Sequence, residues 1–147
     1  MYRILIKIKE NVITATDKRI SLSKNGLPAS IMVNGREVLS QPMQFVVRTS
    51  EGDINFPLSE FKMKKCTSGS VSWESSGVNG GVGFVCNATA EFDGYIHYEV
   101  KVSSDTEMTV EDVFLQSDFS QYSSTYFMGA GHDGGRCPEN HVWKRNG

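Results

Sequence analysis

The residues with the most chemistry to offer lie close together near the end of the sequence. Within Gly129-Ala130-Gly131-His132-Asp133-Gly134-Gly135-Arg136-Cys137 a histidine, an acid, an arginine and a thiol are neighbours, and His141 and Trp143 follow. The glycines match G-x-G-x-x-G after a strand predicted to end near Met128. A dinucleotide site, however, needs a helix N-terminus for the pyrophosphate and an acid roughly 20 positions on for the ribose, and Pro138 intervenes. His132, Asp133, Cys137 and His141 are zinc-ligand types, but their spacing matches no closed structural site. The simplest expectation is an exposed glycine turn holding His132 and Asp133, with Cys137 packed inward and no metal or other cofactor.

Glu91, Asp93, Glu111, Asp112, Asp118 and Asp133 are numerous enough for hydrolysis by paired carboxylates, which must face each other across a sugar. Asp93 is explained by a turn and Glu91 by the solvent face of a strand, so neither placement demands catalysis. No nucleophilic triad can be assembled. A small enzyme of the mutarotase type would need a histidine and an acid meeting in one pocket, and none of His97, His132 and His141 has an identifiable acidic partner in the sequence. Trp73, Tyr95, Tyr122 and Trp143 could stack on sugar rings, although most tryptophans of a sandwich fill its core. Asn87-Ala88-Thr89 is a formal glycosylation sequon inside a predicted strand.

The elements that must position these groups are strands. Ile4, Ile6 and Ile8 alternate with Arg3, Leu5, Lys7 and Lys9, the period of two that a half-buried strand requires. Short strands follow around Val12 to Ala15 and Arg19 to Ser23, and Asn25-Gly26 supplies a turn. Asn34-Gly35 between Ile31-Met32-Val33 and Arg36-Glu37-Val38-Leu39 predicts a type I′ hairpin. Asp93-Gly94 predicts a second, with Ile96, Tyr98, Val100 and Val102 on one face and His97, Glu99 and Lys101 on the other. Further strands are expected at Met43 to Arg48, Val82 to Cys86 and Met108 to Leu115. The Ser- and Gly-rich stretch Thr67 to Gly83 is expected as a surface loop or irregular edge, and the segment from Gly129 onward as a loop, since glycines cost entropy and Pro138 removes a donor. Two packed antiparallel sheets, an all-β sandwich of galactose-mutarotase-like or similar type, accommodate this pattern.

Composition bounds the function. With 147 residues the chain holds one domain and is too short to add an α/β barrel of roughly 250 residues. Fifteen basic and 17 acidic residues, net charge −2, leave no electrostatic footprint for nucleic acid. Ile4-Leu5-Ile6 is far shorter than a signal-peptide core or a membrane span, so a soluble chain is expected and its compartment is left open. Three cysteines cannot all pair within the chain, and buried thiols are expected.

Tyr126-Phe127-Met128-Gly129-Ala130-Gly131-His132-Asp133-Gly134-Gly135-Arg136-Cys137-Pro138, followed by Trp143-Lys144, resembles the end of the N-terminal sandwich domain of glycoside hydrolase family 123 and its uncharacterised relatives. Glu91-Phe92-Asp93-Gly94-Tyr95 and Val33-Asn34-Gly35-Arg36-Glu37-Val38-Leu39 are similar to hairpins of that domain, so the likeness runs from about Ile20 to Lys144. It departs at His141, where the family pattern carries a tryptophan, and at Arg145. The resemblance implies an enzyme that hydrolyses N-acetylgalactosaminides with help from the substrate's acetamido group, on a barrel absent from this chain. It therefore implies a sandwich domain over residues 1–128 and a glycine-rich tail over 129–147 leading toward that barrel. In this picture the chain is a non-catalytic accessory domain whose partner is the catalytic domain of the same polypeptide. His132, Asp133, Arg136 and Trp143 become the candidate contacts to that domain or to a glycan, and no catalytic residue carries over. The alternative is an independent carbohydrate-binding module.

Overall fold

A computed structural model describes residues 6–129 and 132–137; for Phe127, Gly129, His132 and Asp133 it describes the backbone alone. The described residues form fourteen strands and no helix, paired antiparallel throughout. Strands β1 (Lys7–Lys9), β2 (Val12–Ala15), β3 (Lys18–Leu22), β4 (Pro28–Val33) and β5 (Arg36–Glu37) make a five-stranded meander. Strands β6 (Gln44–Thr49) and β7 (Gly52–Ile54) pair as a hairpin, and β12 (Val110–Gln116) adds to the free side of β6. Strands β8 (Glu60–Cys66), β9 (Ser70–Asn79), β10 (Val82–Glu91) and β11 (Ile96–Ser104) form a four-stranded sheet in the order β11-β10-β9-β8. Strands β13 (Tyr126–Gly129) and β14 (His132–Arg136) pair only with each other.

Alternation decides which face of each sheet is dry. Val71, Trp73 and Ser75 on β9, and Val82, Phe84, Cys86, Ala88 and Ala90 on β10, are buried at every second position. At one end of this sheet Val71, Trp73, Ala88 and Ala90 pack against Ile13, Ala15, Ile20 and Leu22 of the five-stranded meander. At the other end Val82, Phe84 and Cys86 pack against Val47, Phe56 and Leu27, with the Phe56 and Phe84 rings stacked at 4.7 Å. The four-stranded sheet is thus one layer, and the other two sheets together cover it. The sheets do not close into a barrel, and the all-β sandwich architecture expected from the strand pattern is the one found.

Both predicted hairpin turns are present. Asn34 and Gly35 both have positive φ, 50° and 75°, as a type I′ turn demands, and Gly94 turns β10 into β11 at φ 88°. Gly26 turns the chain at φ 81°, with Asn25 Oδ1 accepting the Leu27 amide at 3.0 Å. Three expectations are corrected. Thr67 to Gly83 is no surface loop: it contains β9, an interior strand of the four-stranded sheet, because its small serines fit between two neighbours while Val71 and Trp73 supply the buried face. Residues 132–136 are no loop either, since β14 pairs with β13 and has Gly134 and Gly135 at φ 89° and 151°, values that glycine alone adopts cheaply. The third concerns the thiols. Only Cys86 is buried, whereas Cys66 and Cys137 are exposed, so Cys137 does not pack inward. Burial pushes the Cys86 thiol up to about 11, leaving it a small core hydrophobe.

Candidate functional site

The site begins where the sandwich stays open. β12 is an edge strand, and Val113 and Leu115 lie in register with Val47 and Phe45 of β6. Antiparallel partners share a face, so Val113 and Leu115 point to the same side as the core residues Val47 and Phe45, yet each remains 48% exposed. The four-stranded sheet ends at β11, and its inward residues Ile96, Tyr98, Val100 and Val102 are only partly buried. An apolar margin results, belonging to the interior by pattern and to solvent by exposure.

The chain continues from this margin into a braced turn. Phe119, 56% exposed, bridges to Leu39. The Ser120 hydroxyl donates to Glu37 O at 2.8 Å, and the Ser123 hydroxyl to Val38 O at 2.6 Å. Glu37 in turn organises β4 and β5: its carboxylate accepts the Ser30 hydroxyl and the amides of Ile31 at 2.9 Å and Leu39 at 3.1 Å. Desolvation disfavours the charged form, but these donors outweigh it and hold the Glu37 carboxyl below its ordinary range. Arg36 is thereby placed over the Tyr122 ring, 4.3 Å from its centroid, and its guanidinium donates to the Tyr122 hydroxyl. The β13–β14 hairpin follows with Tyr126 and Met128 largely exposed.

Of the residues singled out from the sequence, Arg136 is exposed and stands opposite Tyr126 in the hairpin register. His132 opens β14 opposite Gly129 and Asp133 follows it. Trp143, like His141, lies outside the described residues. Trp73 is no sugar platform: it is buried, and its indole N–H donates to Gly26 O at 2.8 Å. Tyr122 has one ring face covered by Arg36. The open margin on β12 was missed from the sequence, although Val113 and Leu115 alternate visibly, because nothing local says whether a second sheet reaches over an edge strand.

The described grooves do not set two carboxylates against each other. His97 and Glu99, two apart on β11, line a shallow groove with Asn87 and Thr89 on the outer face of the four-stranded sheet, and no hydrogen bond joins them. A groove between the five-stranded and three-stranded sheets, by contrast, brings four side-chain amides and Lys24 together with apolar side chains and holds no carboxylate.

Fold and site therefore define an all-β, sandwich-like domain with an unclosed apolar margin at β12 among the described residues. The family model for glycoside hydrolase 123, third domain, matches residues 6–146, and the chain belongs to that family. The match replaces the expected N-terminal position by a third-domain one; the hairpin and tail motifs identify the domain type but carry no information about its order in a longer polypeptide. A comparison with curated proteins returned no match.

Proposed function

We propose that this chain is a non-catalytic accessory domain of an N-acetylgalactosaminidase-like glycoside hydrolase, packing against a catalytic barrel and supporting it. The observation that carries this reading is the half-exposure of Val113 and Leu115 on the core side of an edge strand. Interdomain interfaces bury roughly 600–1,500 Å², and exposed apolar side chains on the core side of an edge strand suit such a contact. The margin from β12 through Phe119, Tyr122 and Tyr126 is the proposed docking face. Arg136, at the exposed end of the hairpin, is the residue suited to a carboxylate or sugar hydroxyl across the boundary, with His132, Asp133 and Trp143 as further candidate contacts from the glycine-rich tail over 129–147.

The catalytic assignment is tested by assaying the chain alone, and mixed with a family 123 catalytic domain, on an aryl N-acetylgalactosaminide. The expected result is no turnover by the chain alone and a higher melting temperature for the catalytic domain in the mixture. Turnover by the chain alone, abolished by substituting one of its own acids, would overturn the reading.

A further inference from the structure

The groove lined by amides lies between two sheets and has a volume of about 500 Å³, within the roughly 300–1,000 Å³ of small-ligand sites. Asn11 reaches it from the β1–β2 turn and Lys24 and Asn25 from the β3–β4 turn, while Gln44 enters at the start of β6 and Asn55 just after β7.

Each amide is fixed at one end and unused at the other. Asn55 Nδ2 donates to Gln44 Oε1 at 3.1 Å, leaving Gln44 Nε2 and Asn55 Oδ1. Asn25 Oδ1 accepts the Leu27 amide at 3.0 Å, leaving Nδ2. Asn11 Nδ2 donates to Leu22 O, leaving Oδ1. Lys24 forms no ion pair among the described residues. Donors and acceptors are thus mixed and held in place by bonds to the protein, which lowers the entropic cost of engaging a ligand.

The lining, which also carries Leu22, Met43 and Phe56, disfavours two ligand classes. It holds no carboxylate to bind a divalent cation, and a single lysine is too little charge for a polyanion. A hydroxyl-rich ligand suits it, because each hydroxyl both donates and accepts, and the exposed rings of Pro42 and Pro57 offer apolar surface to the C–H face of a sugar. We propose that this groove binds a short segment of neutral glycan. It shares no residue with the β12 docking face, so the two proposals stand or fail separately.

The test is a titration of the full, ¹⁵N-labelled chain with methyl N-acetyl-β-galactosaminide, lactose and maltotriose at millimolar concentration, followed by two-dimensional NMR. Saturable shifts of the Gln44 and Asn25 side-chain amides and of the Lys24 and Asn55 backbone amides are expected with at least one sugar. Gln44→Ala with Asn55→Ala should weaken that binding by roughly tenfold while the remaining spectrum is preserved; should that variant not fold, Lys24→Ala at an exposed position should weaken it in the same direction. No saturable shift at these residues with any of the three sugars would overturn the proposal. So would undiminished binding in the variant that folds, or shifts produced by inorganic sulfate and by none of the sugars.

Discussion

Glu37 is the residue on which the geometry of the Arg36–Tyr122 corner depends. Its carboxylate closes β4 onto β5, and Ser120 bonds the carbonyl of the same residue. Glu37→Gln keeps the shape and can keep its carbonyl on the Ile31 and Leu39 amides with its NH2 toward the Ser30 hydroxyl, but the bonds lose their charge, so a loss of roughly 1 kcal/mol is expected in urea unfolding. The pH dependence has a definite sign. A carboxyl held below its ordinary range in the folded chain contributes stability that is fully present above its unfolded value, near 4.5, and is lost as pH falls through the lowered folded value. Wild type should therefore lose stability on acidification below that point more steeply than Glu37→Gln, and parallel curves would contradict the assignment. The latch could not be read from the sequence, where Glu37 is one polar residue after an Asn-Gly turn.

At the scale of elements, alternation and turn chemistry made most of the meander legible. Asn34-Gly35 and Asp93-Gly94 announced their hairpins because only residues tolerant of positive φ fit there. The misreading of Thr67 to Gly83 has a specific cause. Serines at positions 70, 72, 75 and 76 hide the alternation of Val71 and Trp73, and Gly80-Gly81, at φ 56° and 78°, is itself a hairpin turn between long strands. β9 is held through Trp73, whose indole bonds Gly26 O. A Cβ at Gly26 would lie 3.1 Å from Ser75 Cβ and 3.2 Å from Trp73 Nε1, at φ 81°. Gly26→Ala is expected to cost at least about 1–2 kcal/mol from the left-handed backbone alone, read as a lowered denaturation midpoint with unchanged slope. A neutral result would mean that the Gly26–Trp73 contact does not fix how the five-stranded meander sits on β9.

For the whole molecule, the sequence indicated a sandwich and a glycoside hydrolase family, but suggested an N-terminal domain where the family match is to a third domain, and did not show the unclosed margin. The margin depends on what lies opposite β12 in space, and the motifs carry no information about domain order. Among the candidate contacts, Arg136 is placed at the exposed end of the hairpin. The two features that emerged from folding alone were the exposure of Val113 and Leu115 on the core side of one edge strand and the amide groove, assembled from residues distant in sequence. The central claim is that the margin is covered by a catalytic domain, and amide hydrogen exchange on the full chain, alone and with a family 123 catalytic domain, tests it most directly. Slowed exchange is expected on the Val110–Gln116 strand and in the 119–128 segment upon addition of that domain, with the outer face of the four-stranded sheet unchanged. Exchange that stays the same along β12 and is slowed elsewhere would contradict it.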